Sequence, residues 1–289
     1  MAGTSLGRLS LVAGKAPRSQ RAQNKFADAL WTRLRFEAKE AYLKAPMLAP
    51  LFVNSILNQP SFEAAIFHRI ATRLNNDIVG LGVLVDAFNR ASEDEPVIVD
   101  ALRADIAAVV DRDPACERFI EPFLYFKGFH AIQTHRLAHW LWNSGDRDFA
   151  LYLQSRSSDV FQTDIHPAVR MGRCIFLDHA TGLVVGETTV IEDHVSILQG
   201  VTLGGTGKES GDRHPKVRKG AMIGAGAKVL GNIEVGENAR IAAGSVVLRA
   251  VAANTTVAGV PARVVKTNHD GEAGEALEQV LIGAFDYSI

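Results

Sequence analysis

Cysteine is nearly missing from this chain: Cys116 and Cys174 are the only two in 289 residues. Two cysteines cannot build the disulfide framework that holds small secreted domains, so the chain reads as a protein of a reducing compartment, the cytoplasm. No apolar run reaches the ~18 residues that a membrane-spanning helix needs. An excess of charge of either sign is lacking too. With 31 Lys and Arg against 32 Asp and Glu, the formal net charge is −1, and no global field draws in nucleic acid or a membrane surface. The first 25 residues contain no acid, while Arg8, Lys15, Arg18, Arg21 and Lys25 are present. They also lack the long apolar core of a secretory signal. An acid-free start with Ser and Arg is the composition of an organelle transit peptide as well; the plainer reading is a bacterial N-terminal tail over residues 1–25.

Apolar residues are plentiful, at 47% of the chain, and fall into two halves of different period. From residue 26 to 162 the spacing is helical. Phe26, Leu30 and Leu34 stand four apart, with Phe36, Ala41 and Leu43 beyond, and "SFEAAIFHRIATRL", "VIVDALRADIAAVV" and "FHAIQTHRLAHWLW" predict further helices. Ser61 is a helix start and Asp113-Pro114 a helix stop. His135 and His139 share a helix face but lack the adjacent Glu of a metalloprotease helix, so packing or capping is their expected role.

After Ile165 the period becomes six. Ile165, Met171 and Leu177 are followed by Val185, Ile191, Ile197 and Leu203, then by Val217, Ile223, Val229, Val235, Ile241 and Val247. The steps of six are broken once by two extra residues and once by eight. Such a repeat is a short strand and a turn, with one aliphatic side chain pointing inward and small residues (Ala221, Ala227, Ala239, Ser245) at tight corners. Three units close a triangular coil, and coils stack at roughly 4.8 Å, the inter-strand spacing. One coil cannot bury its aliphatic face but a stack can, so residues 163–266 predict a parallel β-helix. Its flat sides invite symmetric self-association. Handedness does not follow from the spacing; ordinary crossover rules favour right-handed turns.

The eight-residue break, within "LGGTGKESGDRHPK", projects from the prism, where functional loops are found. Gly204, Gly205 and Thr206 let a ligand approach the backbone. Arg213, beside His214, offers a fork suited to a carboxylate.

The run "DIHPAVRMGRCIFLDHATGLVVGETTVIEDHVSILQGVTLGGTGKESGDRHPKVRKGAMIGAGAKVLGNIEVG" resembles the core of the serine O-acetyltransferase family of hexapeptide-repeat acyltransferases. "RDPAC" and "LYFKGFHAIQTHRLAHWLW" resemble that family's helical domain, and "AAGSVVL" and "AGVPARVV" its last coils, so the likeness spans about residues 26–266. The resemblance implies an α+β protein in which a helical domain, used in oligomerisation and in part of the acceptor site, precedes a left-handed β-helix. It implies homotrimers or dimers of trimers, acetyl-CoA as cosubstrate with no permanently bound cofactor or metal, and L-serine as acceptor, giving O-acetyl-L-serine for cysteine synthesis. L-cysteine is then the expected feedback inhibitor. On the family's pattern His179 is the general base and Asp164 the carboxylate that orients it. Asp113 and Asp178 match positions on the serine amino group, Arg213 and His214 positions on its carboxylate, and Glu187 another acid near the acceptor. For the donor, Gly204, Gly205, Thr206, Ala225 and Gly226 are expected along the pantetheine arm, with Lys219 or Arg263 on the phosphates. Residues 267–289 read as a flexible tail whose final Ile289 matches the family's anchor for O-acetylserine sulfhydrylase.

The chemistry asks for these residue types in its own right. A serine hydroxyl must lose its proton as it attacks a thioester, and an imidazole, which titrates near ~6.5, suits that task. A carboxylate on the other ring nitrogen fixes the tautomer and stabilises the imidazolium. Asp164 precedes His179 by fifteen residues, slightly less than one coil. Cys174 as an acyl carrier, His166 beyond a corner role and His194 as a site residue are weaker readings. Three other functions stay open: an O-acetyltransferase for a different hydroxyl acceptor, a zinc carbonic anhydrase on the same repeat, which needs three converging His, and a non-catalytic scaffold.

Overall fold

The structure, a computed structural model, describes residues 18–208 and 210–267. The side chain of Phe26 and the whole of Ile289 lie outside the described residues.

The helical half contains α1 (Arg18–Lys44), α2 (Ala49–Phe52), α3 (Phe62–Leu74), α4 (Leu81–Asp94), α5 (Val97–Arg112), α6 (Ile120–Leu124), α7 (Lys127–Asn143) and α8 (Arg147–Phe161). Helix α1 thus starts at Arg18, inside the stretch read as a tail. Its buried stripe is Leu30, Leu34, Glu37 and Ala38, whereas Phe36 and Leu43 are 53% and 77% exposed. The step from Leu34 to Phe36 is two residues, about 200° around a helix, which turns Phe36 away from the core. The expected start and stop are both present. The Ser61 hydroxyl accepts from the Ala64 N–H at 3.2 Å. Helix α5 ends at Arg112, with Asp113 extended (φ −93°, ψ 105°), as a residue before proline prefers.

The strands form about five coils. The first holds β1 (Thr163–Ile165), β2 (Arg170–Met171) and β3 (Phe176–Leu177), and the second β4 (Leu183–Val185), β5 (Val190–Ile191) and β6 (Ser196–Ile197). The third holds β7 (Thr202–Gly204), β8 (Lys216–Val217) and β9 (Met222–Ile223), and the fourth β10 (Lys228–Leu230), β11 (Glu234–Val235) and β12 (Arg240–Ile241). The last holds β13 (Val246–Val247) and β14 (Thr255–Gly259); β15 (Ala262–Thr267) then returns antiparallel to β14. Three sheets result, one per prism face: β1-β4-β7-β10-β13, β2-β5-β8-β11, and β3-β6-β9-β12-β14-β15. All pairings except β14–β15 are parallel.

The six-residue period is the reason for this shape. Of the thirteen aliphatic positions, all but the partly buried Met171 are at most 5% exposed, each contributing roughly 1.5–3 kcal/mol by burial. Ala221, Ala227, Ala239 and Ser245 are fully buried on the inner side of corners. Helical half and prism share one continuous apolar core.

Polar contacts dock the helices onto the first coils. Asp105 of α5 is completely buried and accepts from Gln133 Nε2 (2.9 Å), from Arg136 Nη2 (2.7 Å) and Nε (3.1 Å), and from the Ile175 N–H (2.9 Å). Arg136 also donates to the Gly172 carbonyl at 2.7 Å. His135 donates from Nε2 to the Val169 carbonyl (3.1 Å), and His139 from Nδ1 to the Pro167 carbonyl (2.7 Å), so this pair serves packing, as expected. Burial holds His135 neutral, its pKa pushed down to about 3. Gly128, in the first turn of α7, lies so close to Leu177 that a Cβ there would meet the carbonyl oxygen at 2.0 Å.

Candidate active site

The corner between the third and first faces, residues 178–182, carries the two-residue break in the period. The imidazole of His179 is 73% exposed, outside the aliphatic interior, and its Nε2 lies 3.7 Å from Asp178 Oδ2. His179 has φ +54° and Ala180 φ +63°, left-handed backbone that turns the corner and lifts the ring off the prism. Burial raises the pKa of Asp178; His179 pulls it down and the Asp113 carboxylate pushes it further up. The end of α5 that leads into Asp113 packs beside this corner, with Val109 and Cys116 on Phe176 of β3. One Asp113 oxygen, Oδ1, accepts from the Ala115 N–H at 2.9 Å. The Asp178 carboxylate and the His179 imidazole stand together here, with Asp113 nearby on the helical side.

The corner between the first and second faces gathers a second group. Arg213 Nη2 pairs with Glu187 Oε2 at 2.8 Å, and this hydrogen bond holds the Glu187 carboxyl below its usual range. His214 is 7% exposed, and its Nδ1 accepts from the Thr188 N–H (3.1 Å) and faces the Thr188 hydroxyl (2.9 Å). A backbone N–H can only donate, so the ring proton sits on Nε2, leaving a fixed donor. Burial and the Arg213 charge both lower the His214 pKa, keeping it neutral. His166, on the corner one coil below, senses Glu187, Asp164 and Arg213. Its Nδ1 accepts from the Ala168 N–H (3.1 Å), the corner role expected of it.

Asp164 makes its hydrogen bond to the helical half. Among the described residues no hydrogen bond or ion pair joins it to His179. It is the outward residue of β1 on the first face, and its Oδ1 accepts from Gln154 Nε2 at 2.6 Å. The acid beside His179 is Asp178. Asp164 pairs in register with Val184, five residues past His179.

The donor-side residues divide as well. Gly204, Gly205 and Thr206 open the long loop at the first-to-second corner, while Ala225 and Gly226 lie on the third-to-first corner above His179. That corner is a ladder of bare backbone: Gly182, Gly200, Gly226 and Gly244 all have φ between +68° and +75°. Lys219 is not with them. It sits on the remaining corner, between the second and third faces, with its N–H on Glu192 Oε2 (3.0 Å). Arg263 is on β15 at the end of the stack, lining a cavity of about 290 Å³ with Leu248 and Val264.

His194 and Cys174 are structural. Both occupy left-handed corner positions, φ +62° and +57°. His194 receives Arg112 of α5, and burial raises the Cys174 thiol pKa, the wrong direction for a nucleophile. Among the described residues no group of three His, Cys, Asp or Glu is placed to hold a metal, and no helix is long and apolar enough to cross a membrane. Sequence reasoning missed Gly186, Thr188, Gln154 and Asp105, which act by what they hold in place; no residue-type pattern marks them.

The family model described as bacterial transferase hexapeptide (six repeats) matches residues 214–249. With the coil geometry above, this makes the chain a hexapeptide-repeat transferase. The model described as serine acetyltransferase, N-terminal, matches residues 30–134. The serine acetyltransferase of Haemophilus influenzae is 52% identical over 257 residues, 89% of this chain and 96% of its own length. That of Escherichia coli strain K12 is 50% identical, covering 82% of this chain and 87% of its own. The crystal structure of serine acetyltransferase in complex with coenzyme A from Brucella abortus strain S19 superposes with a TM-score of 0.83 at 60% identity, covering 85% of this chain and 98% of that one. A serine acetyltransferase in complex with cysteine gives 0.81 at 54% identity, covering 82% and 99%. The chain belongs to the serine acetyltransferase family and is an acyltransferase.

Proposed function

We propose that the chain transfers the acetyl group of acetyl-CoA directly to the hydroxyl of L-serine, with His179 as general base. The observation that carries this reading is the corner where the exposed imidazole of His179 stands beside Asp178, with Asp113 close by. An amino-acid acceptor brings an ammonium for the two acids and a carboxylate for a cationic fork. Arg213, steadied by Glu187, is that fork, and the Nε2–H of His214 is a second donor. His179 takes the hydroxyl proton as the serine oxygen attacks the thioester carbonyl. The C–S bond then breaks, and the imidazolium gives its proton to the departing thiolate.

The two groups lie on opposite edges of the first face. Four to five residues at ~3.3 Å each separate them, roughly 15 Å, too far for one small acceptor. A trimer in which the third-to-first corner of one prism meets the first-to-second corner of the next would close the site. Val184, 40% exposed on that face, gives it an apolar contact. The pantetheine arm would follow the glycine ladder up from His179, with Gly204, Gly205 and Thr206 across the groove and Arg263 at its far end. Relatives solved with coenzyme A and with cysteine support the donor and an amino-acid ligand. Anchoring of O-acetylserine sulfhydrylase by Ile289 remains a proposal on residues outside those described, as does cytoplasmic location.

The test is thiol release from acetyl-CoA with each of the twenty amino acids as acceptor. L-Serine should be preferred, and His179→Ala should lose ~10²–10⁴-fold in kcat with the oligomer intact. Undiminished turnover would remove the base. In the same assay Asp164→Asn, which can still accept from Gln154, should lower kcat strongly if this residue orients the imidazole; full activity would pass that role to Asp178.

A further inference from the structure

Asp113 is no part of the prism. It follows the last residue of α5, and its distance from Asp178 depends on how that helix end sits on the coils. The residue before it, Arg112, makes that attachment. Arg112 Nη1 donates to the His194 carbonyl (3.2 Å) and the Ser196 hydroxyl (3.1 Å), and Nη2 donates to His194 Nδ1 (3.3 Å). One guanidinium therefore grips both the second-to-third corner and β6. A small apolar cluster of Val109, Cys116 and Phe176 packs the same helix end against β3. Beyond it, the Asp113 N–H is held by the Val109 carbonyl (2.9 Å), and the Asp113 carbonyl by the Cys116 N–H (3.0 Å). With Oδ1 tied to Ala115, the Asp113 carboxylate is fixed relative to its own turn, so a small tilt of α5 moves the whole acid and changes how it meets an ammonium.

We infer that Arg112 is a positioning residue for the acceptor: it sets Asp113 against Asp178 and so tunes recognition of the acceptor's amino group. This rests on the acceptor reading above. Arg112 also places a cation at a helix C-terminus, a purely structural benefit, and the experiment separates the two roles. Arg112→Ala should raise the KM for L-serine about tenfold and leave the KM for acetyl-CoA within twofold. Turnover of 3-hydroxypropionate, which has the hydroxyl and carboxylate but no amino group, should match the parent. Added to Asp113→Asn, Arg112→Ala should raise the serine KM no further, because its effect passes through Asp113. If Arg112→Ala does not fold, Arg112→Gln, which keeps one donor for the His194 carbonyl, is measured the same way. An unchanged serine KM, or equal losses with serine, acetyl-CoA and 3-hydroxypropionate, would overturn the inference. If Asp113→Asn alone leaves the serine KM unchanged, the acceptor reading itself falls, whatever Arg112→Ala does.

Discussion

Gly186 lies just past β4, directly beneath the ring of His214. A Cβ added there would come within 2.1 Å of both Cδ2 and Nε2 of that ring, and within 2.8 Å of Cε1. Carbon atoms rest at about 3.5–4.0 Å, so in Gly186→Ala the ring has to retreat by about 1.4 Å. It is not free to do so. Thr188 holds Nδ1 through its N–H and faces it with its hydroxyl, at 3.1 and 2.9 Å, and the residue is buried. The substitution should therefore cost about 1–3 kcal/mol of stability by overpacking. The larger effect falls on function. The Nε2–H proposed as a donor to the acceptor moves by more than 1 Å, a misplacement worth about 100-fold in rate. Thiol release measured at saturating acetyl-CoA, across a range of L-serine, should show kcat/KM lower by about that factor, with His179 untouched and the protein folded by circular dichroism. Activity within threefold of the parent would refute the reasoning, because it would mean that the position of His214 does not matter to the acceptor.

Asp178 links stability to pH. Its pKa is raised by burial and by Asp113 against the opposing pull of His179, so the folded state favours the protonated form. A carboxyl of this kind contributes stability below its unfolded pKa and loses it as pH rises through the folded pKa. At neutral pH Asp178→Asn should therefore raise Tm while raising the KM for serine; a lower Tm would contradict the sign. Asp105→Ala leaves Arg136 buried without its carboxylate and should cost about 3–5 kcal/mol in denaturant unfolding. A loss below 1 kcal/mol would show that the helical half docks without this pair.

Both breaks in the six-residue period hold the polar groups of the proposed site. The two extra residues form the corner with His179, and the eight extra form the loop with Arg213 and His214. A regular coil keeps its backbone on the prism, so a departure from the period marks where the backbone leaves it. That much was legible in one dimension. The partner of Asp164 was not: its Oδ1 is held by Gln154 of α8, a contact that spacing along the chain does not reveal. The corner on which Lys219 sits, apart from Gly204, Gly205 and Thr206, was equally hidden, because neighbours in the chain can lie on different edges of the prism.

The sequence by itself determined the prism, its core and the residue types of the site, because burial of one aliphatic side chain per six residues is a local demand repeated along the chain. Only the tertiary structure decided which of those residues meet. Asp113 is brought near Asp178, 65 positions along the chain, by the docking of the α5 end on Phe176, and the proton of His214 is placed by Thr188. Periodicity encodes which way a side chain faces; it holds no information about which corner, or which helix end, lies opposite.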